Sequence, residues 1–148
     1  MSEAMEGGCQ CGRVRYAAQI QDDEAYLCHC RMCQRATGGV SIAFKNVPLA
    51  DIAWTTREPD RYRSSPIARR GFCHDCGTPL TYEGDGADRL DLTVGSFDDP
   101  SHFRPVSHAG TESRHDAWLD TRALPGERTD ENPRISAKWI DAIGHLPS

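Results

Sequence analysis

Seven cysteines fall in three clusters, "CQC" at residues 9–11, "CHCRMC" at 28–33 and "CHDC" at 73–76, and no other feature limits so sharply what this chain can fold into. Cysteines separated by one residue make an awkward disulfide, and an odd total leaves one thiol over from any set of pairs. The N-terminal "MSEAMEGG" lacks the charged-then-apolar layout of a secretory signal, and no apolar run approaches the roughly 18 residues needed to span a bilayer. The expected location is the cytoplasm, where reducing conditions disfavour structural disulfides, and no membrane association is expected. Metal binding is the reading that accounts for the clusters.

Composition supports a metal-assisted fold. A chain of 148 residues is most simply one domain, spanning 1–148, but with 38% hydrophobic and 26% charged residues its core is modest. A net charge of −5 argues against general affinity for nucleic acid, with "CRMCQR" and "ARRGF" as local basic exceptions.

Short alternating or β-branched runs, "RVRYAAQI", "VSIAFKNV", "DIAWTT", "PLTYEG" and "LDLTVG", punctuated by Gly, Pro and Asp, predict a mainly β fold. After the central cysteine cluster, "MCQRATGG" predicts about two turns of helix ended by Gly38 and Gly39, its start placed beside Cys30 and Cys33 where it favours thiolates. Asn132 and Pro133 read as an N-cap and first helical residue, followed by Ile135, Trp139, Ile140 and Ile143 at helical spacing up to Gly144. That helix is expected to pack on the sheet with Trp139 in the core. The polar stretch from Thr111 to Arg134 is expected to be an arm anchored by Trp118.

Structural zinc sites take four protein ligands, whereas catalytic sites take three and keep one position open. Seven thiols divide naturally into four and three. Spacing leaves two partitions: Cys9, Cys11, Cys73 and Cys76 closing one site with Cys28, Cys30 and Cys33 forming an open one, or a ribbon of Cys30, Cys33, Cys73 and Cys76 with three thiols spare.

"GGCQCGRVRY", "CHCRMCQRATGG" and "GFCHDCGTPLTY" resemble, in order, the three zinc motifs of the glutathione-dependent formaldehyde-activating enzyme family. The later "DLTVGSFDDP", "FRPVSHAGTESRHDAWL" and "LP" resemble its C-terminal half, so the likeness runs over about residues 7–125 and leaves 126–148 as an extension with a short helix. The resemblance implies a zinc-stapled sheet fold of the β-tent type. It also implies a structural zinc on Cys9, Cys11, Cys73 and Cys76, and a catalytic zinc on Cys28, Cys30 and Cys33. The implied activity is that of a carbon–sulfur lyase adding a glutathione-type thiol to formaldehyde to give S-(hydroxymethyl)glutathione. The expected partners are thus a small thiol such as glutathione and an aldehyde.

Such chemistry needs a thiolate, and only a few per cent of a thiol with pKa about 8.5 is ionised near neutral pH. An open zinc would hold the substrate sulfur deprotonated beside the carbonyl. Three thiolates around a divalent ion leave a net negative charge, which nearby cations offset; Arg31, Arg35, Arg69 and Arg70 are the candidates, each read otherwise as a solvated surface arginine. The same excess of negative charge predicts a second zinc held more loosely than the first.

Among the histidines, His29 is expected to turn away from the metal, as a second support or proton relay, and His74 to lie in exposed loop. His108 either approaches the open site from a strand as acid or base, or is a structural histidine. Two other functions fit the residues: a non-catalytic zinc adaptor or metal-handling module, and a thiol redox sensor built on Cys28, Cys30 and Cys33.

Overall fold

A computed structural model describes residues 2–147 and shows a mainly β architecture with two short helices, as the sequence predicts. The strands are β1 (Glu3–Gly8), β2 (Arg15–Ile20), β3 (Glu24–Cys28), β4 (Ile42–Pro48), β5 (Ile52–Trp54), β6 (Asp60–Ser65), β7 (Ala68–Phe72), β8 (Pro79–Gly84), β9 (Arg89–Thr93) and β10 (Arg104–Ala109). The helices are α1 (Arg31–Thr37) and α2 (Pro133–Ile143).

Two sheets result, a three-stranded one in the order β1-β2-β5 and a seven-stranded one in the order β10-β3-β4-β9-β8-β7-β6. Every pairing is antiparallel except that of β10 with β3, which brings the end of β10 back to the central cysteine cluster, with Ala109 opposite Cys28. Strand alternation sets the core: Tyr16, Ala18 and Ile20 of β2 turn inward and meet Val47, Leu80, Leu90 and Leu92 of the larger sheet. Tyr16 is fully buried, lies edge-on to Trp54 and Phe97, and meets its polar requirement through a 2.8 Å hydrogen bond between its hydroxyl and that of Ser96.

Chain contacts divide the protein after His115. The first unit holds both sheets, α1 and all seven cysteines. The second, from Asp116 onward, contains two single 3₁₀ turns and α2. The caps of α2 are those read from the sequence: Asn132 Oδ1 accepts from Ile135 N–H at 3.2 Å, Pro133 opens the helix, and Gly144 closes it at φ 81°. Two expectations for this segment need correcting. No residue of α2 is buried, Trp139 being 38% exposed, and Trp118 is 64% exposed, so neither tryptophan is a core residue. Their apolar spacing reports a helical face without reporting what covers it.

Candidate metal centre

The first cysteine pair sits in the turn between β1 and β2, the last pair in the turn between β7 and β8. Each turn is closed by a glycine in the left-handed region, Gly12 at φ 81° and Gly77 at φ 79°, and each folds a backbone N–H onto a cysteine carbonyl: Gly12 N to Cys9 O and Gly77 N to Cys73 O. Packing one sheet on the other brings the turns together. The Cys9, Cys11, Cys73 and Cys76 sulfurs all lie within 4.8 Å of one another, with Cys9–Cys11 at 3.5 Å and Cys11–Cys73 at 3.7 Å. A tetrahedron of sulfurs about 2.3 Å from a zinc ion has edges of about 3.8 Å, so this group fits a four-coordinate ion.

Donors surround these sulfurs. Val14 N–H points at Cys9 Sγ at 3.3 Å, Arg57 Nη2 at Cys73 Sγ at 3.6 Å, and the Thr78 hydroxyl lies 3.2 Å from Cys76 Sγ. That hydroxyl is the main reason the Cys76 thiol is held down at about 5. Arg57 also grips Asp75 at 2.6 Å. Thr78 could have been suspected from its place two residues after Cys76; Arg57, in an irregular stretch distant from every cysteine in sequence, carried no signal.

The second group forms where β3 runs into α1. Cys30 is the N-cap of α1 and its sulfur accepts from Cys33 N–H at 3.3 Å. The Cys28, Cys30 and Cys33 sulfurs lie within 4.8 Å of one another, as three corners of such a tetrahedron require, and among the described residues no fourth His, Cys, Asp or Glu atom joins them. Burial pushes the Cys33 thiol up to about 12.

Gln34 holds the cluster in place, and sequence reasoning missed it. Its buried side-chain amide lies 2.8 Å from His29 O, 3.1 Å from Val40 O and 3.1 Å from Ser113 O, tying α1 to the segment after β10. Gly110 was also missed: it stands at φ 64°, and a Cβ there would fall 2.8 Å from Cys30 N. A glutamine directly after a ligand cysteine was a visible hint, whereas Gly110 acquires its role only through the β10–β3 pairing.

Of the four candidate arginines, only Arg70 reaches a cysteine of the triplet, its Nη2 donating to Cys33 Sγ at 3.2 Å. Arg31 hydrogen-bonds Gln34 Oε1, Arg69 bonds Glu83 at 3.2 Å, and Arg35 is exposed. His29 is buried to 1% exposure and its Nε2 lies 2.8 Å from Nδ1 of His108, which is on β10. His74 is exposed, as expected, and bonds Asp60 at 2.7 Å.

Fold and site together define a β-sheet protein with two cysteine groups able to hold metal ions. The chain belongs to the glutathione-dependent formaldehyde-activating enzyme family, whose model matches residues 4–113. It is 30% identical over 77 residues to a Schizosaccharomyces pombe protein named an uncharacterized lyase, an overlap covering 52% of this chain and only 56% of that protein. A solved Rhodobacter sphaeroides protein shares the fold at a TM-score of 0.57, with 21% identity over 71% of this chain and all of that one. No helix among the described residues is long and apolar enough to cross a membrane.

Proposed function

We propose that the protein is a zinc-dependent carbon–sulfur lyase that joins a glutathione-like thiol to formaldehyde or a related aldehyde, and splits the adduct in reverse. In the forward direction a bond forms between thiol sulfur and carbonyl carbon, the C=O π bond becomes a hydroxyl, and the thiol proton is the one ultimately gained by that oxygen. The observation that carries the reading is the contrast between a complete group of four sulfurs and a second group of three lacking a fourth ligand.

In this reading Cys9, Cys11, Cys73 and Cys76 hold a structural zinc that clasps the β1–β2 turn to the β7–β8 turn. Cys28, Cys30 and Cys33 hold a second, more labile zinc, which when bound supplies an open coordination position that keeps a substrate thiol ionised. Arg70, 3.2 Å from Cys33 Sγ, offsets the negative charge of the thiolates. His108 is the acid or base at the hemithioacetal oxygen, and the buried His29 orients its ring through their 2.8 Å contact.

The test is exchange spectroscopy on zinc-loaded protein with glutathione and formaldehyde, comparing formation of S-(hydroxymethyl)glutathione with the uncatalysed rate. Acceleration lost in Cys30→Ser supports the reading. Full zinc occupancy at both groups with no acceleration for any thiol and aldehyde pair returns the protein to the adaptor class.

A further inference from the structure

Arg70 is buried, with 5% of its surface exposed. Its guanidinium lies over the Tyr82 ring at 5.0 Å, Nη2 donates to Cys33 Sγ, and Nε is buried with no hydrogen-bond partner. An unmet donor on a buried cation is costly and uncommon. Glu83 on the neighbouring strand shares the face of Arg69 and is already engaged by Arg61 at 2.9 Å and Arg69 at 3.2 Å, and Asp91, one strand beyond Tyr82, accepts from Asn46 Nδ2 at 2.9 Å.

Two recesses meet at Arg70. One, of about 160 Å³, is walled by Phe44, Phe72, Thr37 and Thr93. The other, of about 280 Å³, adds Met32, Arg35 and Ser64, and both share Ala36, Tyr62 and Arg70. In a chain with 22 acidic residues and a net charge of −5, neither wall contains an Asp or Glu among the described residues. Each recess lies below the roughly 300 Å³ at which drug-sized ligand sites begin, which suits a compact group.

We propose that this recess seats an anionic group of the thiol substrate, a carboxylate on a short chain, bound by Arg70 with Arg35 at the rim. The proposal rests on the thiol-binding reading above and makes Arg70 the residue that selects among thiols. A carboxylate held by the free edge of the guanidinium stands no more than about 8 Å from Cys33 Sγ, within a short alkyl chain of the open position. A neutral thiol of the same size leaves Arg70 Nε without a charged acceptor, and a cationic one is repelled.

The experiment uses cobalt-substituted full-length protein, in which binding of sulfur to the metal is read from the charge-transfer absorption. 3-Mercaptopropionate is compared with the isosteric 3-mercaptopropionamide, and calorimetry with 3-(methylthio)propionate, whose sulfur is blocked, reports the anion seat separately. The expected result is binding of the anionic thiol about tenfold tighter than the amide, a preference abolished in Arg70→Gln. If that variant does not retain cobalt, the wild-type comparison decides alone. Equal affinity of the two thiols overturns the anion seat while leaving the thiol-binding reading intact. No spectral change with either thiol, beside Arg70-dependent binding of the blocked sulfide, supports the seat and overturns thiol binding at the metal.

Discussion

His29 and His108 are 79 residues apart in sequence, yet their ring nitrogens, Nε2 and Nδ1, lie 2.8 Å apart. The parallel pairing of β10 with β3 makes this contact, since His108 stands opposite Leu27 and Ala109 O accepts from His29 N–H at 2.9 Å. One imidazole is buried at 1% exposure and the other faces outward, an arrangement in which the inner ring fixes the orientation of the outer one. His108→Gln is expected to lower turnover about a hundredfold, the usual scale for a positioned acid or base, with both metals retained. Steady-state rates and metal analysis on the same sample check this; unchanged turnover removes His108 from the mechanism.

The two cysteine groups are expected to respond differently to substitution. Cys73 is fully buried within the core cluster, so Cys73→Ser is expected to cost more than about 3 kcal/mol and to leave much of the chain unfolded. Cys30→Ser, at a half-exposed helix cap, is expected to keep the fold, one metal and a cooperative transition while abolishing activity. Mild chelation of wild type follows the same order, emptying the triplet first. Metal counting alongside thermal unfolding separates the cases; equal retention at both groups contradicts the labile second site.

Much of this was legible beforehand because period-two patterns survive where a strand has one buried face: β2, β4, β5, β8 and β9 all coincide with runs visible in the sequence. β1, "EAMEGG", was hidden because only Met5 and Gly7 turn inward between acidic residues, and β10, "RPVSHA", because an edge strand exposed along most of its length has no apolar alternation to show. "ARRGF" could not say which arginine mattered; strand alternation places Arg69 outward toward Glu83 and Arg70 inward toward Cys33. The cysteine pairs had the right spacing for either partition. Only the packing of the β1–β2 turn against the β7–β8 turn brings the sulfurs of one particular four together.

Gly110 offers a way to disturb one cysteine group and not the other. Its positive φ of 64° is unfavourable for an L side chain, and an added Cβ would press on Cys30 N at 2.8 Å, where backbone and not a flexible side chain must yield. Gly110→Ala is expected to lose about 1–2 kcal/mol of stability and to release metal from Cys28, Cys30 and Cys33 while the four-cysteine group stays loaded. Extended X-ray absorption of the remaining metal, showing four sulfur ligands, confirms selective loss; full loading of both groups means that the Gly110 contact does not shape the triplet.

The Asp22 carboxylate, paired with Lys45, couples stability to pH. Lys45 lies on β4 with its side chain 7% exposed, and its ammonium donates to Asp22 Oδ1 at 2.5 Å and to Glu24 O at 2.7 Å, with the Phe103 ring 5.8 Å away. The Lys45 hydrogen bond is the main cause that holds Asp22 below the ordinary carboxylate value of 3.8. A carboxyl depressed on folding contributes stability that is complete above its unfolded value and disappears as pH falls through the folded one. Asp22 is 54% exposed at its side chain, so screening keeps the contribution near about 1 kcal/mol although its partner is buried. Asp22→Asn is therefore expected to unfold more easily than wild type at neutral pH by about that amount, with the gap closing as pH falls below the ordinary carboxylate value. Urea titrations of both proteins across the acid range measure the gap directly. A difference that persists undiminished at low pH would mean that the amide damages local packing and that the ion pair is not its source.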